Sequence, residues 1–435
     1  MELPRILIAG GGYVGLYAAL ALRKRMGGRV AITLVAPESH MTYQPFLPEA
    51  ASGSIEPRHV VIPLRTVLKG ARIVNGLVKS VDHSSRRATV VPLDGPTYDI
   101  PYDHIVLGVG SISRVLPVPG LAENAVGFKT VAEAIYLRNH LLSCMDAAES
   151  TTDPAVRRRL LTFTFVGGGY AGVEALAELE DLARDASRYY PSLARADMRW
   201  VLVEATDSIL PEIKRDLAEY ALERLRAREI EVHLNTRLES AVDGEMRLTN
   251  GESFPSATLV WTTGVRAHPL VSEIDFPTDE RGRVVVDEYL RVKGVENAWA
   301  AGDAAAVPDV TSGGICPPTA QHALRQARQI GRNLAAVLSD KEPQRFRYRN
   351  LGTLVSLGRY KGAAMVVRFK LKGFPGWFLH RTYHVTRVPT LNRKVRILID
   401  WTVALFFRRD VVQLGALTQP RKPFTEAVTG LEKED

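Results

Sequence analysis

Short apolar runs, glycine turns and helical stretches succeed one another from the start of the chain. Arg5–Ala9 (RILIA) reads as a strand. It meets the turn GGGYVG, then the Ala/Leu-rich stretch LYAALALRKRM, then a second apolar run at Ala31–Val35. A hydrophobic period that changes from 2 to 3.6 and back, with glycine between, predicts a β-α-β unit. The same grammar returns at LTFTFVGGGYAGVEALAELEDLA and MRWVLVEA, with Gly167 lying 157 positions after Gly10. Two such units at so wide a spacing predict two nucleotide-binding lobes rather than a short-period repeat. Arg72–Arg114 alternates apolar and polar residues between turn signals, which predicts antiparallel strands ending in HIVLGVGS. Leu234–Thr263 repeats that style and ends in LVWTTG.

Later, AWAAGDAAA is followed by CPPTAQHALRQARQIGRNL. Two prolines, with Thr319 as N-cap, predict a helix start. Ala320, Ala323, Leu324, Ala327, Gly331 and Leu334 fall at helical spacing as its buried face. Beyond Asp340 the chain turns basic and aromatic. In VRILIDWTVALFFRRD, residues Ile397, Leu398, Trp401, Ala404 and Leu405 share one stripe, flanked by Arg396, Arg408 and Arg409. Short amphipathic helices of this kind suit a membrane interface; a dimer interface or core is the other reading. Arg381, Arg387 and Asp400 make the region more polar than an ordinary anchor.

At 435 residues the chain is too long for one ordinary domain. Cys144 and Cys316, its two cysteines, support no disulfide framework, and a reducing compartment is expected. Residues 1–20 lack a signal-peptide pattern, and no apolar run reaches the roughly 18 residues a membrane span needs. The net charge is +8, yet Asp340–Lys422 holds 18 Lys/Arg against 4 Asp/Glu. A basic tail on an acidic body predicts an anionic partner surface. Membrane fits better than nucleic acid, since no nucleic-acid module accompanies the charge.

Gly10-x-Gly12-x-x-Gly15 and Gly167-x-Gly169-x-x-Gly172 each sit between strand and helix. There the first glycine makes the turn, the second admits a pyrophosphate to the helix N-terminus, and the third lets helix pack on strand. The acid at the end of the second strand binds ribose hydroxyls. Glu204 holds that place in the second unit and predicts NADH over NADPH; a solvated strand-end carboxylate is the alternative. In the first unit Ala36 stands there, with Glu38 two residues on as the substitute.

Together with YQPFLPEAASGSI and FRYRNLGTLVSLGRYKGAAMV, these motifs resemble the type II NADH dehydrogenase family. That family lies within the two-dinucleotide-binding-domain flavoprotein (pyridine nucleotide-disulfide reductase) superfamily. The resemblance spans nearly the whole chain. It implies an α/β fold of two Rossmann-like domains and a C-terminal basic, amphipathic membrane-associating region. The implied divisions are an FAD-binding domain at 1–117 and 287–345, an NADH-binding domain at 118–286, and membrane association and dimerisation at 346–435. It further implies a non-proton-pumping enzyme that passes hydride from NADH to FAD and two electrons on to a quinone, as a peripheral homodimer on the cytoplasmic membrane face. The implied FAD residues are Gly10, Gly12, Gly15, Glu38, Gly110, Gly302, Asp303, Ala320 and Gln321. Those for NADH are Gly167, Gly169, Tyr170, Gly172, Glu174, Glu204 and Gly264.

The superfamily's redox cysteine pairs are missing, because Cys144 and Cys316 stand 172 positions apart; two lone buried thiols are expected. Glu174 is the candidate to orient nicotinamide or relay a proton; stabilising the first helical turn is its other reading. Tyr170 either covers the flavin or packs. Family members open the late helix with Ala-Gln-x-Ala-x-Gln, whose glutamines line the quinone tunnel. Here Ala320, Gln321 and Ala323 match, while Arg325 replaces the second glutamine and Gln326 follows. Gln321 and Arg325, four apart, share a face. Arg325 then binds a quinone carbonyl or a more acidic acceptor, turns out to lipid phosphates or solvent, or marks an unusual quinone. His322 has no partner at ligand spacing, so no metal is expected. A soluble NAD(P)H-dependent flavoprotein with another acceptor, or a redox-sensing FAD/NADH-binding protein with little turnover, remain the alternative functions.

Overall fold

A computed structural model describes residues 2–311, 313–348, 352–366 and 369–413. Arg349, Arg368, Arg421, Lys422 and the rest of the C-terminal region beyond 413 lie outside those residues.

The first sheet has seven strands, in the order Ala298–Ala300, His104–Leu107, Arg5–Ala9, Ala31–Ala36, Arg72–Asp82, Arg87–Pro92 and Tyr98–Pro101. The first five pair in parallel and the last two join antiparallel. The run HIVL therefore departs from the antiparallel expectation. All four of its residues are buried, and a strand covered on both faces belongs inside a parallel sheet. LVW departs likewise: Thr258–Trp261 pairs in parallel with Thr162–Val166. It does so in a second sheet ordered Ala125–Val126, Thr258–Trp261, Thr162–Val166, Arg199–Val203 and Ile230–His233. Strands Ser111–Ser113 and Val265–Ala267 pair antiparallel and tie the exits of the two sheets together.

Seven helices matter for the site. They are α1 (Tyr13–Met26), α2 (Leu47–Ala51), α3 (Val131–Ser150), α4 (Tyr170–Ala186), α5 (Ala320–Val337), α6 (Phe374–Arg387) and α7 (Leu391–Phe406). Thr319 caps α5 as expected, accepting from the His322 amide. Helix α5 lies tightly on α1, because a Cβ at Gly331 would fall 2.6 Å from the Ala18 carbonyl oxygen. Its buried face holds Ala323, Leu324, Ala327, Gly331 and Leu334, but Ala320 stays half-buried at the edge. The face is also more polar than its spacing suggested, since His322, Gln326, Gln329 and Asn333 are buried too. Asn333 is satisfied by donating to the Tyr289 carbonyl at 2.9 Å and accepting from Gln329 at 2.8 Å.

A three-stranded antiparallel sheet (Gly352–Ser356, Gly362–Val366, Phe369–Lys372) precedes α6 and α7. The stripe expected on α7 divides. Ile397 is fully buried and Trp401 turns inward, stacking edge-on against Phe46. Leu391, Val395, Leu398, Ile399, Leu405 and Phe406 form the exposed apolar side. The buried Glu49 carboxylate of α2 clamps the two helices, accepting from Arg381 Nη2 at 2.7 Å and Trp401 Nε1 at 2.8 Å. Asp400 also faces the body and pairs with His59. Two of the polar residues that weakened the anchor reading are thus turned away from the outer face. Among the described residues no helix is long and apolar enough to cross a membrane.

Candidate active site

Each parallel sheet ends in the same construction. Gly10 (φ +106°) and Gly167 (φ +113°) leave the central strands in a conformation that glycine alone adopts readily. Their amides donate to the carbonyls of Val35 and Val203. A side chain at Gly15 or Gly172 would overlap the carbonyl of the turn's first glycine. A Cβ on Gly12, Gly169, Gly110 or Gly264 would meet nothing within 4 Å, so the ground above each turn is open. Helices α1 and α4 begin there with glycine N-caps, no capping side chain and no acid in the first turn. Free N–H groups facing open space at a positive helix end fit a pyrophosphate.

The two lobes differ at the ribose position. Val35 and Val203 correspond through the turn hydrogen bonds, so Ala36 and Glu204 are equivalent. Glu204 is held firmly: one oxygen accepts from the Gly168 amide at 2.6 Å, the other from the Thr206 amide and hydroxyl at 2.8 Å. Ala36 is buried beneath Gly11, and Glu38 stands exposed beyond the strand end.

Asp303 follows Gly302 (φ +70°) at the end of Ala298–Ala300. Its carboxylate accepts from Ser111 Oγ at 2.6 Å, and Lys129 Nζ donates to that oxygen at 2.6 Å. Burial pulls the Lys129 ammonium below its ordinary range, opposed by Asp303. Neither Ser111 nor Lys129 stood out in the sequence, because nothing local links positions so far apart. Gln326 is buried and accepts from the Gly302 amide at 2.8 Å. It pins the Asp303 turn, while its neighbour Arg325 faces the other way.

That other way is a crevice between α5 and α6. Ala320, Gln321, Leu324, Arg325 and Arg328 supply one wall; Tyr383, His384 and Arg387 supply the second, with Tyr13, Tyr43 and Pro45 at the base. Tyr348 closes one side, donating to Gln321 Oε1 at 3.2 Å and lying under the Arg325 guanidinium. His322 does not reach this space; it is buried, bonded to Thr319 Oγ1 at 2.8 Å, with its ring 4.0 Å from Tyr348.

Glu174 sits in the second turn of α4, outside the first turn where the helix-end effect acts. Its buried carboxylate accepts from the Ser356 amide at 2.8 Å and faces His380 Nε2 at 3.4 Å. The His380 ring lies 4.5 Å from that of His384, which meets Tyr43 Oη through Nδ1 at 3.4 Å. Burial, then His380 and Arg387, push His384 well below the ordinary histidine range. A row of titratable side chains thus runs from Glu174 to the crevice; its histidines had no local signal either. Tyr170 opens α4, packed against the second lobe's core, its hydroxyl pushed up by burial. Both cysteines are free and buried, with burial pushing each thiol up to about 11. Elsewhere, Glu231, His233 and Glu252 gather within 4.8 Å, but Arg199 pairs with both glutamates.

Two parallel sheets, each with an uncapped glycine turn at its switch point, define a protein with two dinucleotide sites. The chain belongs to the pyridine nucleotide-disulphide oxidoreductase family, whose model matches residues 4–327. It is 31% identical over 420 residues to a probable NADH dehydrogenase of Dictyostelium discoideum, covering 94% of this chain and 91% of that protein. It is 29% identical to the type II NADH:quinone oxidoreductase Ndh of Mycobacterium tuberculosis, over 93% of this chain and 89% of that one. Its fold is similar to NDH2 from Plasmodium falciparum solved with NADH, with a TM-score of 0.89 at 16% identity, covering 94% and 100% of the two chains. The sulfide:quinone oxidoreductase of Aquifex aeolicus is similar at a TM-score of 0.71 and 15% identity, over 94% and 96%. The resemblance read from the motifs holds.

Proposed function

We propose that this protein is an FAD-dependent NADH:quinone oxidoreductase that moves no protons across the membrane. The observation that carries the reading is the crevice beside α5, joined through His384 and His380 to the buried Glu174. Overall, NADH, a quinone and one proton become NAD+ and a quinol. Bound FAD supplies hydride acceptance and electron storage. Gly10, Gly12, Gly15, Gly110, Gly302 and Asp303 would hold it in the first lobe, with Ala320 and Gln321 at its edge. Gly167, Gly169, Gly172, Tyr170, Gly264 and Glu204 would hold NADH in the second, Glu204 accepting from ribose hydroxyls. Glu174, against His380 Nε2, is the group that would relay a proton by way of His380 and His384 toward the crevice where the quinone is reduced. Gln321 and Arg325 orient the quinone oxygens. With no cysteine pair at hand, electrons pass to the acceptor directly.

The exposed apolar side of α7 and the basic charge around it support peripheral attachment to a membrane, which in this reading is an anionic surface at the cytoplasmic face. Phe374 and Phe378 of α6 expose a second apolar patch suited to a homodimer. Purified protein should oxidise NADH with a water-soluble quinone. A flavin that NADH reduces but no quinone reoxidises would sink the quinone assignment and spare the fold. Flotation with vesicles and sedimentation test the membrane and the dimer.

A further inference from the structure

The crevice collects positive charge that nothing on the described protein neutralises. Arg325, Arg328 and Arg387 all line it, and no Asp or Glu does. The groups they meet are rings and a carbonyl. Arg325 Nη1 donates to the Gln321 carbonyl at 3.0 Å, and its guanidinium lies 4.9 Å over Tyr348. Arg328 lies over Tyr17 at 5.2 Å and Arg387 over Tyr383 at 5.1 Å. Many of the chain's other arginines, by contrast, find carboxylates: Arg5 with Asp103, Arg199 with Glu231, Arg283 with Asp279, Arg381 with Glu49.

Three like charges around one small space repel each other, and an anion placed among them relieves that repulsion. Guanidinium is a planar fork that matches the two oxygens of a carboxylate or similar group. The Tyr348 face and the Gln321 carbonyl fix the plane of Arg325 in advance, so little freedom is lost on binding. A neutral quinone can accept a hydrogen bond from Arg325 but leaves the net positive charge of the three arginines uncompensated.

We propose that the crevice takes a quinone bearing an anionic oxygen group, with Arg325 recognising the charge and Arg328 and Arg387 reinforcing it at the mouth. This rests on the quinone-reductase reading and names its acceptor class. The same chemistry exists in a lipid phosphate, and the test separates the two sources. The ratio of kcat/KM for a naphthoquinone sulfonate to that for its parent naphthoquinone is measured without lipid, in the native protein, Arg325→Gln, Arg325→Lys and Arg328→Gln/Arg387→Gln. Comparing ratios across variants cancels the intrinsic reactivity of the two quinones. Flavin content and bleaching by NADH report that each variant is folded.

The ratio falls about tenfold or more in Arg325→Gln, the scale of a lost charge-assisted hydrogen bond, and recovers in part in Arg325→Lys. Raising salt lowers the native ratio and hardly moves that of Arg325→Gln. A ratio equal in all variants, with both quinones reduced, overturns the proposal. An equal ratio with weaker binding of the variants to phosphatidylglycerol vesicles assigns the arginines to lipid phosphate and overturns it too. If NADH bleaches the flavin but neither quinone is reduced, the underlying reading falls instead.

Discussion

Replacing Glu204 with alanine tests the nucleotide preference at one side chain. Both carboxylate oxygens are oriented by the Gly168 and Thr206 hydrogen bonds, and the residue is only half-buried. Water can therefore satisfy the freed amides, and the fold should tolerate the change. A hydrogen bond between a ribose hydroxyl and a charged group contributes about 1.5 to 3 kcal/mol, which corresponds to a roughly 10- to 150-fold rise in the NADH KM. The contact is remote from the transferring hydride, so kcat should move less than KM. For NADPH the sign reverses. A 2′-phosphate some 4 Å from the carboxylate meets a repulsion of up to about 4 kcal/mol before screening, and solvent exposure reduces it to a fraction of that. The NADH:NADPH ratio of kcat/KM should therefore collapse toward unity in Glu204→Ala. Steady-state kinetics with both nucleotides and a water-soluble quinone measure it. A native preference for NADPH, or a ratio that the substitution leaves where it was, refutes the role of Glu204.

Three further outcomes are expected. Arg381→Ala strands the buried Glu49 carboxylate and should cost about 3 to 5 kcal/mol, visible as a lower denaturant midpoint; unchanged stability would show that the clamp does not hold α6 and α7 to α2. His384 is pushed below its ordinary value of 6.5 chiefly by burial, so the native state binds fewer protons than the unfolded chain just below that pH. Stability should then fall as pH drops below about 6.5, and His384→Phe should flatten that slope; an equal slope in both proteins dismisses the histidine as its source. Leu398→Glu together with Phe406→Glu places charge on the outer face of α7 and should release the protein from anionic vesicles, whereas retained flotation would move the membrane contact elsewhere.

What was legible in the sequence was local. The glycine turns depend on backbone angles and close contacts within six residues, so their spacing carried the two β-α-β units and the two-lobed fold. Glu204 was readable because it directly follows the apolar strand run that comes after the second glycine-turn helix. Periodicity also grouped Ile397, Leu398, Trp401, Ala404 and Leu405 on one stripe of α7, which the structure splits, leaving Leu398 and Leu405 exposed. It did not say which side faces the body, because helical spacing is blind to what lies opposite. Phe46, Glu49 and Arg381, brought from elsewhere in the chain, decided that Trp401 turns inward. The same holds on α5, where Arg325 and Gln326 differ by one position and so point about 100° apart. Which of them met the Gly302 amide and which met the crevice depended on α5 packing against α1 at Gly331. Glu174 was singled out from its place after the turn. Its partners Ser356 and His380 lie 182 and 206 positions away, and only the folding of the C-terminal sheet and α6 onto the second lobe put them there.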